Sequence, residues 1–334
     1  MKHKKVIILV NLGTPDIPTV PSVRKYLREF LGDPRVIDIH PWIRFILVNF
    51  IIAPFRSFKS AKLYKRLWTE EGSPLLANSM KLCRKLNMIA GNDYDVFLAM
   101  RYGKPSLSRL LNSLKEKNYL QIILVPLFPQ YASSTTGSIT ANALRTVSEW
   151  NMVPDIRVIG SFYNKPQYVH AISSQLKDHD PGRYDHVLFS FHSLPVRQVY
   201  MMHQDIECSQ FKCDRSITEQ NRNCYQASCY HSARLIAAEA GLEQNKFSVA
   251  FQSRFTRNWL GPFTDDTIRE LAQKGIDRLL VICPSFVADC LETIIEIGQE
   301  YKKLFLQNGG KEFTLVESLN DDDRWSKGLF SLIH

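Results

Sequence analysis

Three glutamates stand four residues apart near the end of the sequence: Glu292, Glu296 and Glu300. They belong to the last long helix that the pattern predicts, over 289–300, which follows the apolar run 279–284. A spacing of four places successive carboxylates on one helix face, about 6 Å apart along the axis. Like charges in such a column repel, so they either stay in water or hold cations or protons. A solvated acidic face is the usual case, but the aliphatic residues between the glutamates favour the second use.

A histidine, His192, follows another apolar run in the stretch Ser190–Pro195. An imidazole at the carboxyl end of a strand can act as a metal ligand or as a base, because histidine titrates near neutral pH. A lone histidine in this position is more often structural. Glu292 lies in the same half of the chain, however, and an imidazole facing carboxylates suits a divalent cation and can accept protons displaced from a substrate.

Four cysteines lie close together, at Cys208, Cys213, Cys224 and Cys229, in a polar stretch that resembles an inserted loop over about 203–230. Such clustering in a chain with seven cysteines is hard to ascribe to core packing, and it indicates a metal or iron–sulfur site. The spacing leaves zinc and a [2Fe-2S] cluster open. The other three cysteines are predicted to be buried thiols: Cys83, Cys283 and Cys290.

The elements that must position these residues occur twice. A strand, a loop with proline, a helix and a second strand span 95–128 and again 247–286, and both halves open on a similar strand and loop, at 6–15 and 186–195. Continuous aliphatic strands that alternate with helical patterns indicate parallel sheets covered by helices on both faces. The sequence therefore predicts the α/β fold class, with two Rossmann-like doubly wound domains related by an internal repeat.

The predicted domains are residues 1–165, which include an apolar lip at about 42–58, and residues 166–334, which include the metal site and the cysteine loop. Ligands of such sheets bind outside the carboxyl ends of the strands. If the domains face each other, the loops at those ends line one cleft. No G-x-G-x-x-G follows a strand and no G-x-x-x-x-G-K-[ST] occurs, so we do not expect a nucleotide.

The chain carries 42 Lys and Arg against 33 Asp and Glu, which suits anionic lipids or anionic small molecules. No nucleic-acid-binding motif accompanies this charge. The apolar run at 6–10 is too short for a signal peptide, so we expect a cytoplasmic protein with reduced cysteines.

The apolar segment Trp42–Phe55 is interrupted by Arg44 and Asn49, and Pro54 is predicted to end it, which leaves it short of a membrane span. It suits an interfacial helix with peripheral membrane contact, the lip of an apolar pocket or an ordinary core helix.

Several motifs, taken together and in order, resemble the ferrochelatase family over nearly the whole chain. The most specific are Ser190–Pro195, Gln252–Arg254 with Trp259–Pro262, and Phe286–Thr293; Asn11–Pro15, Gly72–Leu75, Arg101-Tyr102 and Gln130–Ser138 also match.

The resemblance implies a metal chelatase that inserts Fe2+ into protoporphyrin IX, with release of two protons, in the terminal step of haem biosynthesis. His192 and Glu292 are the implied metal-binding and catalytic pair, and Glu296 and Glu300 extend an acidic track from them. The implied porphyrin contacts are Arg101, Tyr102, Tyr131 and Ser134. Whether the enzyme is a monomer or a homodimer stays open.

The chain departs from the family in two places. Cys290 stands where many members have a second histidine. The four clustered cysteines lie in the loop after His192, whereas animal relatives place most cluster ligands in a C-terminal extension. We therefore predict an internal [2Fe-2S] cluster on Cys208, Cys213, Cys224 and Cys229, with zinc as the alternative.

Other functions remain open from the sequence. The nearest alternative enzyme is a chelatase for coproporphyrin III, or one that inserts cobalt or nickel into a related tetrapyrrole. A solute-binding protein would share the doubled architecture, and an iron–sulfur electron-transfer protein would explain the cysteines without His192 and Glu292.

Overall fold

The computed structural model describes residues 5–204 and 206–334. These residues form two compact units. One contains the described chain up to Phe128 together with Ala132–Ser161 and Ile333–His334, and the other contains Pro129–Tyr131 and Phe162–Leu332.

Each unit contains a four-stranded parallel sheet. The first sheet consists of β1 (Lys5–Thr14), β2 (Tyr94–Gly103), β3 (Gln121–Pro126) and β4 (Asp155–Val158). The second consists of β5 (His186–His192), β6 (Phe247–Gln252), β7 (Arg278–Ile282) and β8 (Glu312–Leu315).

Helices connect the strands. The first half has Val20–Leu31, Pro41–Leu67, Pro74–Ala90, Leu107–Leu114 and, after a π-helical turn at Ser133–Gly137, Ser138–Val147. The second half has Pro166–Asp178, Val196–Tyr200, Tyr225–Ala240, Thr264–Gln273, the π-helix Glu292–Tyr301 with Lys302–Gln307, and Asp323–Ile333.

The two sheets share one strand order, β2-β1-β3-β4 and β6-β5-β7-β8. The first strand of each half is therefore the second in its sheet. The loops after β2 and β6 also correspond, since the N–H of Met100 donates to Pro105 O at 2.6 Å and the N–H of Phe251 donates to Pro262 O at 2.8 Å. The predicted α/β architecture and its internal repeat are confirmed.

Helices cover both faces of the first sheet. Alternate residues of β1, such as Val6 and Ile8, pack with Leu111 and Ile139 in one core cluster. Ile7 points to the opposite face of the sheet and is also fully buried. The helix Pro74–Ala90, which lies between β1 and β2 in the chain, packs against both strands. Strands buried on both faces explain the continuous aliphatic runs in the sequence.

The core of the second unit holds the middle of the acidic helix and the helix Lys302–Gln307 that continues it. Ile297 and Phe305 pack with Leu188 of β5 and Val281 of β7. The prediction that an α-helix spans 289–300 is wrong in two respects: the helix begins at Leu291, and Glu292–Tyr301 is π-helical. Asp289 stays outside because its carboxylate accepts hydrogen bonds from Thr293 Oγ1 and the N–H of Ser318, at 3.0 and 3.2 Å. The prediction is wrong in a third respect as well: the acidic helix is not the last long helix, because the helix Asp323–Ile333 follows it in the chain.

The apolar segment does not end at Pro54, so this prediction is also wrong. Residues Leu47–Ile52 are π-helical, and the N–H of Ala53 reaches Val48 O, five residues earlier. The wider turn accommodates a proline that would otherwise interrupt the α-helical ladder. The helix Pro41–Leu67 is the one helix of the described residues that is long and apolar enough, by length and composition, to cross a membrane.

Candidate active site

His192 is the last residue of β5, and its ring is held by the adjacent main chain. The Nδ1 atom lies 2.5 Å from Ser193 O. A carbonyl oxygen only accepts, so this hydrogen bond assigns the proton to Nδ1 and leaves the lone pair of Nε2 free. The main-chain oxygen of His192 accepts a hydrogen bond from Tyr225 OH at 2.8 Å, which fixes the end of the strand. The imidazole is thus oriented as a ligand or base through Nε2.

Gln252 links the strand of His192 to the acidic helix. It lies beside His192 in the register of β5 and β6, and it is buried. Its Nε2 donates to Glu292 O at 3.2 Å, and its Oε1 accepts from Ser190 Oγ at 2.7 Å. The sequence offered one signal for this role, a glutamine at the carboxyl end of a buried strand.

Glu296 is held by Ser253, in the loop after β6, and by Tyr301 of its own helix. Its Oε1 accepts hydrogen bonds from the N–H of Ser253 at 2.8 Å and from Tyr301 OH at 2.9 Å, and its Oε2 accepts one from Ser253 Oγ. Ser253 presents both groups from a left-handed backbone conformation, φ 64°.

The pKa of Glu296 is raised, mainly by burial, and the negative charge of Glu292 raises it further. The hydrogen bonds from Ser253 and Tyr301 and the charge of His192 act in the opposite direction and lower this pKa. The Glu296 carboxyl therefore lies within electrostatic range of both Glu292 and His192. Glu300, by contrast, is exposed.

Cys290 lies beside Glu292 at the start of the helix. Its thiol is buried, and burial raises its pKa well above the ordinary value, with the charge of Glu292 and a hydrogen bond to that carboxylate adding to the rise. The neutral thiol adds no charge beside the Glu292 carboxylate. Cys290, which the resemblance places where many members have a second imidazole, is therefore an uncharged neighbour of the predicted catalytic glutamate.

In the first unit, the predicted porphyrin contacts Arg101 and Tyr102 surround a buried carboxylate, Asp33. Asp33 Oδ2 accepts hydrogen bonds from Arg101 Nη2 at 2.6 Å, Tyr102 OH at 2.9 Å and Ser138 Oγ at 2.5 Å. Burial alone would raise the pKa of Asp33, but the hydrogen bonds from Ser138, the Arg35 N–H and Tyr102, together with the charge of Arg101, lower it. The sequence reasoning missed Asp33, because a buried carboxylate in a turn leaves no periodic signal.

The predicted porphyrin residues differ in accessibility. Tyr102 is only 2% exposed, whereas 19% of the Arg101 side chain remains accessible. Tyr131 and Ser134 are both half-buried, and Ser134 lies in the π-helical turn Ser133–Gly137. Arg101 and Tyr102 thus lie together with Asp33, and the hydroxyl of Tyr102 is engaged within its own unit.

The cysteine loop brings together three of its four cysteines and a histidine. The ligand atoms of His203, Cys208, Cys213 and Cys224 all lie within 4.8 Å of one another, and all four residues are buried. Cys229 is not a member of this group; it lies in the helix Tyr225–Ala240. The sequence analysis overlooked His203, although it precedes Cys208 by the same five positions that separate Cys208 from Cys213.

The comparisons of sequence agree on one family. The family model described as Ferrochelatase matches residues 4–334. A protein of Legionella pneumophila (strain Corby) named ferrochelatase is 42% identical over 332 residues, covering 99% of either chain. One of Coxiella burnetii (strain CbuK_Q154) with the same name is 42% identical over 330 residues, covering 97% of this chain and 91% of its own.

Among solved structures, SirB from Bacillus subtilis, determined with Fe3+, matches with a TM-score of 0.53 at 12% identity, over 98% of this chain and 93% of that one. The chelatase-like protein DR2241 from Deinococcus radiodurans matches with a TM-score of 0.53 at 10% identity, over 99% of this chain and 55% of that one. At these identities the structural likeness shows the fold alone.

Proposed function

The chain belongs to the ferrochelatase family, and on that premise we propose how its residues insert Fe2+ into protoporphyrin in the synthesis of haem. The observation that carries the proposal is the hydrogen bond between His192 Nδ1 and Ser193 O, which leaves Nε2 free at the carboxyl end of a buried strand. Glu292 stands at the start of the helix that Gln252 ties to the neighbouring strand.

The reaction requires a proton balance that these groups can meet. Protoporphyrin has two pyrrole N–H groups, and Fe2+ replaces both protons. We assign the first proton to Nε2 of His192 and the second to the Glu292 carboxylate. Nε2 has one lone pair, so His192 can bind the incoming iron only before it takes the proton, and the iron must leave Nε2 for the porphyrin nitrogens before that proton is accepted. The Cys290 thiol, whose pKa burial raises well above the ordinary value, stays neutral beside the Glu292 carboxylate and adds no charge there.

Glu296 and Glu300 are proposed to carry protons or iron between Glu292 and solvent. Burial raises the pKa of Glu296, so this carboxyl takes up a proton at a higher pH than an exposed one does. Glu300 is exposed at the outer end of the series. A half-buried carboxyl followed by a solvated one suits a relay that starts at Glu292.

Porphyrin contact is proposed for the three predicted side chains that retain exposure: Arg101, Tyr131 and Ser134. The guanidinium of Arg101 suits a porphyrin carboxylate. Tyr102 takes a different part in this proposal. Its ring lies under the guanidinium of Arg101, 4.6 Å from ring centroid to Cζ, and its hydroxyl is bonded to Asp33. We assign Tyr102 the positioning of Arg101.

Peripheral contact with a membrane is proposed for the apolar face of Pro41–Leu67. Its large side chains are exposed, with Trp42 at 72%, Phe50 at 64% and Phe55 at 75%. This exposure argues against an ordinary core helix. Basic residues on the same helix suit anionic headgroups: Arg44, Arg56, Lys59 and Lys62. We also propose a cytoplasmic location, in which cysteines stay reduced and available to a metal.

A metal on the cysteine loop also belongs to the proposed function. The sequence prediction placed a [2Fe-2S] cluster on Cys208, Cys213, Cys224 and Cys229. Three thiols and an imidazole in mutual contact suit a metal centre, but this donor set replaces Cys229 with His203. No step of iron insertion is assigned to that centre.

The experiment is anaerobic incubation of the enzyme with Fe2+ and protoporphyrin, followed by haem absorbance. His192→Ala and Glu292→Gln should each lower the rate by at least 100-fold, in the range of a lost general base. His179→Ala is the matched control, since His179 pairs with Glu317 at an exposed site and should keep full activity. Undiminished turnover by His192→Ala, or none by the unmodified enzyme, would refute the proposal.

A further inference from the structure

We propose that His203, Cys208, Cys213 and Cys224 bind a single zinc ion, so that the loop after His192 holds a mononuclear Cys3His centre and no [2Fe-2S] cluster. The inference is independent of the iron-insertion site, because none of its four donors belongs to that site. The proposed centre differs from the predicted [2Fe-2S] cluster in three ways: His203 replaces Cys229 as the fourth ligand, one metal ion replaces two, and the metal is zinc instead of iron.

The distances between the donor atoms fit one tetrahedral ion. Zinc bonds of about 2.3 Å to sulfur and about 2.0–2.1 Å to nitrogen separate neighbouring sulfurs by about 3.8 Å, and a sulfur and a nitrogen by about 3.5 Å. The Sγ atoms of Cys208 and Cys224 are 3.6 Å apart, and Sγ of Cys213 is 3.4 Å from Nε2 of His203.

The same distances do not fit a binuclear cluster. In a [2Fe-2S] cluster each iron holds two of the four protein ligands, so ligands on different irons are separated by the additional length of the iron–sulfide core. Here every pair of ligand atoms lies within 4.8 Å. Such a group encloses one ion and leaves no room for two irons and two sulfides.

Cys229 lies outside the group of ligand atoms that are all within 4.8 Å of one another. It lies on the helix Tyr225–Ala240, fully buried, five residues after Cys224. His203 occupies the fourth position instead. Its Nδ1 atom is buried without a hydrogen-bond partner among the described residues, and its Nε2 atom is the one that faces a cysteine sulfur. The geometry therefore assigns Nε2 as the coordinating nitrogen.

A metal centre would add to the turn hydrogen bonds and the few side-chain contacts that hold the loop. Between Gln204 and Asn223, the described residues contain no helix or strand. The loop's main polar contact is the buried Asn221, whose side chain accepts from the N–H of Thr218 at 2.7 Å and donates to Phe211 O at 3.1 Å. The ring of Phe211 stacks on His203, with centroids 4.7 Å apart. A segment with so small an apolar core is ordinarily stabilised by a metal or by disulfides.

Zinc is the metal that this donor set favours. A closed set of three thiolates and one imidazole is a structural zinc site, whereas a site for a reacting metal keeps an open position. Three thiolates in contact also repel one another unless a cation balances their charge. Both points indicate a resident structural ion, distinct from the Fe2+ that the enzyme consumes.

The first test is metal analysis of the whole enzyme, purified anaerobically from cells supplied with both zinc and iron. We expect one zinc per chain and no visible absorbance. The zinc X-ray absorption spectrum should fit three sulfurs at about 2.3 Å and one nitrogen at about 2.0–2.1 Å. Two irons with inorganic sulfide per chain, or a chain that holds no metal, would overturn the proposal.

Variants separate His203 from Cys229. His203→Ala and Cys213→Ser should lose at least 90% of the zinc, whereas Cys229→Ser, a change of an equally buried cysteine, should retain it. His203→Cys should restore zinc, which separates ligation from misfolding. Loss of metal from Cys229→Ser with retention by His203→Ala contradicts the assignment. His192→Ala should keep its zinc while it loses haem formation. Zinc content therefore tests the metal centre, and haem formation separately tests the proposed catalytic function.

Discussion

The side-chain amide of Gln252 donates a hydrogen bond to the main-chain carbonyl of Glu292, 3.2 Å away. Because Gln252 also lies opposite His192 in the register of β5 and β6, one buried side chain ties the start of the acidic helix to the strand that ends at His192. The relative placement of the two proposed catalytic residues thus depends on a residue that reacts with neither substrate.

Gln252→Leu should lower kcat about 10- to 100-fold and leave the KM for protoporphyrin within about twofold, because small misplacement of reacting groups has costs of this order. Steady-state haem formation measures both constants. Gln175→Leu is the matched control, since it removes an amide that donates to Ser318 O at the same 3.2 Å. A loss of kcat equal in the two variants would assign the effect to general destabilisation.

Glu296 should make stability depend on pH. Its pKa in the folded protein is raised above the ordinary glutamate value of 4.5, mainly by burial, so the folded state disfavours ionisation. The group's favourable contribution is complete below pH 4.5 and is lost as the pH rises through the folded pKa. Glu296→Gln should therefore raise Tm relative to the unmodified protein more at pH 8 than at pH 5.

Thermal unfolding across that range measures the difference. Glu300→Gln is the control, because Glu300 is exposed and its substitution should change Tm equally at both values of pH. A Glu296→Gln effect that does not vary with pH would show that this carboxyl ionises as freely in the folded state as in the unfolded one.

Asp33→Asn should destabilise the first unit by about 2 to 3 kcal/mol, because Arg101 would lose the charge it pairs with at 2.6 Å. Asp33 has a lowered pKa in the folded protein, so its contribution is present above pH 3.8 and is lost as the pH falls through the folded pKa. Urea unfolding at pH 7 and pH 3 should show the difference shrink. Asp16→Asn, which breaks an exposed pair with Lys104, should cost less than about 1 kcal/mol.

Phe55→Glu should weaken binding to vesicles of anionic phospholipid at least fivefold in a flotation assay, because it places a charge on the exposed apolar face of Pro41–Leu67. Met88→Glu is closely matched, since Met88 is also 75% exposed but lies on the helix Pro74–Ala90. It should leave flotation unchanged. Equal loss in both variants would point to net charge, and no binding by the unmodified protein would remove the membrane proposal.

The sequence determined the two parallel sheets, their repeat and the position of His192 at a strand end. Aliphatic runs and helical periodicity are local properties, and the end of a run marks the end of a strand, so a polar residue placed there is already near the ligand-binding edge. The resemblance to the family then added Glu292 as the predicted partner of His192. The same reasoning failed at Pro54 and at Asp289, where a π-helical turn and a side-chain contact changed the bounds of a helix.

Only the tertiary structure decided which side chains meet. Spacing placed Cys229 with the other three cysteines, yet the path of the loop brings in His203, and the helix that starts after Cys224 withholds Cys229. The hydrogen bond between Arg101 and Asp33 is a second example, because the two residues are 68 positions apart in the sequence. Such contacts depend on loop paths and side-chain rotamers that no local pattern encodes, because they are selected by burial and hydrogen bonding in the completed fold.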